Sequence, residues 1–153
     1  MSRWAEVRRM KIPVKKLREN AVLPMRASAG AAGADLYACL EEEAVLLPGQ
    51  TTLIPTGLSL EIPEGYVGLV FARSSVASKR GLAPANKVGV IDSDYRGELM
   101  VALFNHGSAP QTVLPNERIA QLVVVPFLAA EYAQVQTLSD TVRGSGGFGS
   151  TGK

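Results

Sequence analysis

Three of the chain's four aspartates fall in two short stretches, beside its most chemically capable side chains. Asp35 stands in "AGADLYA". Asp92 and Asp94 stand in "VGVIDSDYRGEL", where a hydrophobic strand ends in a carboxylate, a turn carries Tyr95, Arg96 and Gly97, and another strand follows. The second stretch reads as a β-hairpin with functional groups at its mouth, although aspartates in such places also cap turn backbone. "ARSSVASK" supplies Arg73, Ser74 and Ser75 where a strand meets a short helix. A guanidinium, two hydroxyls and the N–H groups of a helix start suit an oxyanion. "NERIAQLVVVPF" sets Arg118 and Gln121 at the head of another strand.

Together these are anion-binding groups and a few carboxylates. His106 is the only histidine and sits in the turn-like "NHGS"; Cys39 is the only cysteine and reads as a small core residue. Glu41, Glu42 and Glu43 read as a solvated turn. With no histidine cluster and no reactive thiol, the inventory suits a polyphosphate substrate carrying its own Mg²⁺ better than a protease or a redox enzyme.

The last eleven residues, "RGSGGFGSTGK", hold five glycines with Arg143 and Phe148 among them. Glycine loses more backbone entropy on ordering than any other residue, so this segment is not expected to hold a shape alone. Gly147 to Lys153 matches G-x-x-x-x-G-K, but a phosphate-binding P-loop needs a helix after it, and none is expected here. Backbone N–H groups of a glycine run can still wrap an anion.

The elements that must position these groups are mostly strands. "TGLSLEIP" alternates Leu58, Leu60 and Ile62 against Ser59 and Glu61, and "GYVGLVFA", "ELMVALFN" and "IAQLVVVPF" are further β-branched or aromatic runs. Nine prolines and turns such as "LPGQ" and "PEG" punctuate them, which indicates an all-β sandwich or barrel. Only "SSVASKRG" reads as helix, about two turns with Ser74 as cap.

At 153 residues, 46% hydrophobic and 20% charged, the chain fits one globular domain. No apolar run approaches a membrane span, no signal peptide is apparent, and a single cysteine fits a reducing compartment; a cytoplasmic protein is expected. Residues 1–26 carry a balance of +6 and the remainder −4. The basic block lacks interleaved aromatics, so it reads as a solvated extension and not as a nucleic-acid or membrane contact.

Five motifs, "AGADLYA", "ARSSVASK", "NKVGVIDSDYRGEL", "NERIAQLVV" and "RGSGGFGSTG", occur in the order of the trimeric dUTPase family, which the chain resembles from about Met10 onward. Asn116 stands where glycine is common in that family, and Ser75 where many members have glycine. The resemblance implies a jelly-roll-like β-barrel, a homotrimer with active sites shared between subunits, and hydrolysis of dUTP to dUMP and pyrophosphate with Mg²⁺. That reaction limits uracil in DNA and supplies dUMP for thymidylate synthesis. The implied layout is a basic extension at 1–9, the barrel at 10–138 and a Gly-rich arm at 139–153 that closes over the site.

The resemblance further implies a role for each motif. Asp92 matches the general base. Asn86, Val90, Ile91 and Met100 fall in the uracil pocket, Tyr95 lies beneath the deoxyribose, and Phe148 stacks on the base. Arg73, Ser74, Ser75, Gln121, Arg143 and Gly147 match phosphate-contacting positions, and Asp35 a place near the metal's waters. Arg118 stands between a phosphate contact and a structural ion pair. Two other readings are a dCTP deaminase of the same fold, which needs an added carboxylate at the base edge, and a non-catalytic trimeric module.

Overall fold

Short β-branched runs cut by Gly- and Pro-bearing turns fold as twelve strands and one helix among residues 9–149, the part of the chain that the computed structural model describes. The expected extension at 1–9 lies outside this range save for Arg9, as do the last four residues of the expected arm. In chain order the elements are β1 (Val14–Lys16), β2 (Met25–Arg26), β3 (Ala34–Tyr37), β4 (Ala44–Leu46), β5 (Thr51–Pro55) and β6 (Leu58–Leu60). There follow β7 (Tyr66–Ala72), α1 (Ser74–Arg80), β8 (Leu82–Pro84), β9 (Gly89–Ile91), β10 (Met100–Asn105), β11 (Gln111–Val113) and β12 (Arg118–Pro126).

The long strand β12 is the middle of a five-stranded antiparallel sheet of order β2-β3-β12-β7-β9. A three-stranded sheet, β5-β10-β8, and the pairs β1-β6 and β4-β11 complete a jelly-roll-like barrel around one core. Leu36, Ile54, Leu82, Val101, Leu103, Val113 and Ile119 are buried there, drawn from every sheet but the β1-β6 pair, which adds Leu60. Asn105 is the polar exception. It is wholly buried, its amide donates to the Leu46 and Ala109 carbonyls, and its Oδ1 accepts from Gly107 N. A buried amide so satisfied ties the 106–109 turn to β4 without an orphaned group.

Three local expectations need correction. β9 and β10 do not pair as a hairpin: β9 bonds to β7 in one sheet, while β10 bonds to β5 and β8 in another. Residues 92–99 therefore bridge two sheets. Ser59 does not face water; it is buried and donates to the Arg96 carbonyl. The helix cap is Arg73, in extended conformation with no side-chain cap bond, so Ser74 is the first helical residue. The helix ends as its sequence suggests, at Gly81 in the left-handed region, whose N–H bonds to Ala77 O.

Candidate active site

Two groups of functional side chains stand on this barrel, at different places. The first is built by β12 and its two neighbours. The register between β12 and β3 slips at Ile119, so that Arg118 faces Tyr37 and Ala120 faces Leu36. This bulge lets Ile119 and Ala120 both point into the core, and it sets Gln121 opposite Asp35 on one side and Phe71 on the other. Asp35 is almost buried; its Oδ1 accepts from Arg73 Nε at 2.8 Å and its Oδ2 from Arg118 Nη1 at 3.3 Å. Gln121 donates to the Ala72 carbonyl at 2.9 Å, next to Arg73.

The first group thus joins Asp35, Arg73, Arg118 and Gln121, with Ser74 and Ser75 exposed beside Arg73 at the start of α1. The two arginines add charge that one carboxylate does not cancel, and the first N–H groups of the helix have no intrahelical acceptor. The Arg118 ion pair is present. Two glycine-related signals were hidden in the sequence. A Cβ on Gly33 would lie 2.3 Å from Gln121 Oε1, so the amide occupies the space glycine leaves open. Asn116, where the family commonly has glycine, has φ 60°, a conformation that asparagine tolerates better than most residues.

The second group surrounds a cavity of about 250 Å³ between β9 and the start of β10. Val90, Ile91, Asp92, Tyr95 and Met100 line it, and Asp92 also borders a wider open groove. The Asn86 amide stands 3.6 Å from the space above Gly89. Because β9 is an edge strand, every second residue leaves its N–H and C=O unpaired on the outer side, ready for a hydrogen-bonding ligand edge. The Tyr95 ring lies directly over Gly97, where a Cβ would come within 2.4 Å of the hydroxyl, and that hydroxyl donates to Glu98 O at 2.9 Å. Asp92 is exposed, and its carbonyl accepts from Tyr95 N in the turn.

The register keeps the two groups apart. Asp35 lies level with Phe71, through Gln121, whereas Ile91 lies level with Gly68. The offset is three residues along β7, about 10 Å, and three strand spacings across the sheet, about 14 Å. Arg143, Gly147 and Phe148 join neither group. Arg143 bonds within its own turn, to Gly146 O, and Phe148 is fully exposed with φ 52°.

Among the described residues no three His, Cys, Asp or Glu side chains gather as a metal cage. Asp35 is held by two guanidiniums, so this donor set fits an ion that arrives with a polyphosphate rather than one resident in the protein. No helix among the described residues is long and apolar enough to cross a membrane.

The family model for dUTPase matches residues 19–152. A deoxyuridine 5'-triphosphate nucleotidohydrolase of Desulfitobacterium hafniense is 56% identical over 131 residues, covering 85% of this chain and 87% of its own. One from Neisseria meningitidis is 50% identical over 132 residues, covering 86% and 88%. Among solved structures, the dUTPase of Staphylococcus bacteriophage 80alpha with dUPNHPP superposes with a TM-score of 0.84 at 33% identity, covering 94% of this chain and 99% of that one. A variant dUTPase from phage phi11 of S. aureus, described with a structural Mg(II) ion, has a TM-score of 0.75 at 30% identity, covering 84% and 98%.

Proposed function

The chain belongs to the dUTPase family, and from that premise we propose how its two groups of residues act on one substrate. It is a dUTP diphosphatase: with Mg²⁺, water and dUTP give dUMP and pyrophosphate. The water oxygen bonds to the α-phosphorus as the bond from that phosphorus to the bridging oxygen of the β-phosphate breaks, and pyrophosphate leaves. Mg²⁺ enters as part of the substrate, bound to the triphosphate, and neutralises its charge.

The single observation that carries the proposal is the separation of the two groups within one chain. Asp92 takes the proton of the attacking water and must stand at the α-phosphorus, while Arg73, Ser74, Ser75 and Gln121 hold the phosphate oxygens. Gln121, level with Phe71, stands four residues along β7 and two strand spacings from Asp92, roughly 13 Å by 10 Å, and Arg73 lies two residues further along, so one chain does not bring both groups to one α-phosphate. The site is therefore assembled from copies of the chain: one supplies Asp92, Tyr95 and the β9 edge, and a second supplies the arginine group. Any closed ring of subunits satisfies every site, and the ring of three is the one that the family resemblance implies: the protein is a homotrimer. Leu53, Leu128, Tyr132 and Leu138, all strongly exposed in the single chain, then find cover.

Within this arrangement the cavity beside β9 takes uracil. Its backbone edge and Asn86 pair with the base, and the Tyr95 ring lies beneath the deoxyribose. Asp35 aims Arg73 and Arg118; a carboxylate accepts about four hydrogen bonds, so its remaining lone pairs stay available to waters of the magnesium. The arm at 139–153 brings Arg143, Gly147 and Phe148 over the nucleotide of another subunit, Phe148 stacking on the base.

The test is pyrophosphate release with Mg²⁺ and each of dUTP, dCTP, dTTP and UTP. Fast release from dUTP alone, with dUMP as product, is expected. Release of ammonia from dCTP would favour a deaminase, and no turnover of any nucleotide would favour a binding module.

A further inference from the structure

We propose that Glu98, anchored by Arg18, is a positioning residue that sets the place of the Tyr95 ring, and with it the choice between deoxyribose and ribose. The inference rests on the reading of Tyr95 as the ring beneath the sugar. That ring is about half exposed, so packing alone does not fix it, and its hydroxyl bonds to the main-chain carbonyl of Glu98. Where Glu98 sits is thus where the ring sits.

Glu98 lies in the bridge between two sheets, outside any strand, and its side chain adds its own tie to those of its neighbour Leu99. Its Oε1 accepts from Gly57 N at 2.9 Å, and its Oε2 pairs with Arg18 Nη2 at 3.3 Å. Arg18 is itself braced, donating from Nη1 to the Cys39 carbonyl at 3.1 Å. Gly57 is equally constrained: it has φ 68°, and a Cβ there would lie 2.7 Å from both Ala21 Cβ and Cys39 Sγ. Neighbouring bonds, Leu99 N to Leu58 O and Thr56 Oγ1 to Leu99 O, fasten the same stretch to the 56–59 turn.

A ring that must reject a single hydroxyl works only if held to within about 0.5 Å, so a loosened Glu98 loses discrimination before it loses chemistry. The same contacts explain why Glu98 is no proton shuttle at the base, since both carboxylate oxygens are engaged.

The test compares kcat and KM for dUTP and UTP, both with Mg²⁺, in Arg18→Ala, Glu98→Ala, Glu98→Gln, Tyr95→Ala and the unaltered protein, with Tm measured for each. Arg18→Ala and Glu98→Ala should cut the preference for dUTP over UTP in kcat/KM by about tenfold, and their combination no further than Glu98→Ala alone. Glu98→Gln keeps an acceptor for Gly57 N and should stay within about threefold of the unaltered preference. If Glu98→Ala does not fold, Arg18→Ala decides, its side chain being 43% exposed. Equal losses on both substrates, alongside a Tyr95→Ala that does lose preference, would leave Glu98 merely structural and overturn the proposal. A Tyr95→Ala that keeps the preference would bring down the reading of Tyr95, and the proposal with it.

Discussion

Arg73 reaches across β12 to Asp35 on β3, its Nε 2.8 Å from the carboxylate. A guanidinium held at Nε has its two terminal nitrogens free to face an anion in a fixed plane, which a lone surface arginine cannot do. In the proposed site the carboxylate thus serves phosphate binding without touching phosphate.

Asp35→Ala should therefore act mainly through Arg73. Misplacing a substrate-orienting group by about 1 Å costs on the order of 100-fold, so kcat/KM for dUTP should fall by about 10–100-fold, with KM rising. Stability should drop by about 1–3 kcal/mol, because two guanidiniums lose their common acceptor. Steady-state kinetics beside urea unfolding checks both. An unchanged KM would mean that Arg73 finds its place without Asp35.

Gly97→Ala addresses the other group. Its Cβ would meet the Tyr95 hydroxyl at 2.4 Å and the ring carbon bearing it at 2.5 Å, so the ring must tilt away. A preference for dUTP over UTP reduced by about tenfold is expected, with a far smaller change in Tm. Unaltered preference would show that the ring can shift without consequence.

Much of the fold was legible because the long strands are period-two or continuous β-branched runs: β7 and β10 fell within the expected segments, and β12 starts one residue before its own, at Arg118. The apparent hairpin was misread for a physical reason. Two strands joined by a tight turn sequence look alike whether they pair with each other or with strands elsewhere, and only the partners β7 and β5 decide. Asp35, Arg73, Arg118 and Gln121 were individually visible as chemically capable side chains. Their convergence depends on the bulge at Ile119 and on the room above Gly33, which no local pattern announces. Arg18 was read as one more charge in a basic block, because its partners Glu98 and Cys39 are remote in sequence.

Asn105→Ala separates stability from chemistry. The substitution leaves the Leu46 and Ala109 carbonyls and Gly107 N without their partner in the core. A loss of about 2–4 kcal/mol is expected, seen as a lower urea midpoint, while kcat well below the melting transition stays within about twofold. A silent substitution would mean that water replaces the amide.

Truncation before Arg143 tests the arm. Among the described residues the hydrogen bonds of 143–149 stay within their own turn, so their removal should leave oligomer mass and Tm nearly unchanged while kcat/KM for dUTP falls by about 10²-fold or more. Full activity in the truncated protein would reduce the segment to a loose end.

Sharing of the site between chains is tested most directly by mixing two inactive variants. Asp92→Asn removes the proton acceptor and Arg73→Ala the phosphate clamp, and each alone should lose about 10²–10⁴-fold in turnover. If the two groups come from different subunits, trimers refolded from an equal mixture contain some sites with both groups intact, about one in four by random assembly. The mixture should then recover about a quarter of the unaltered activity, in proportion to the mixed trimers formed. Activity that stays at the level of the separate variants, in trimers proven by mass to be mixed, would place Asp92 and Arg73 of one chain in one site and contradict the account.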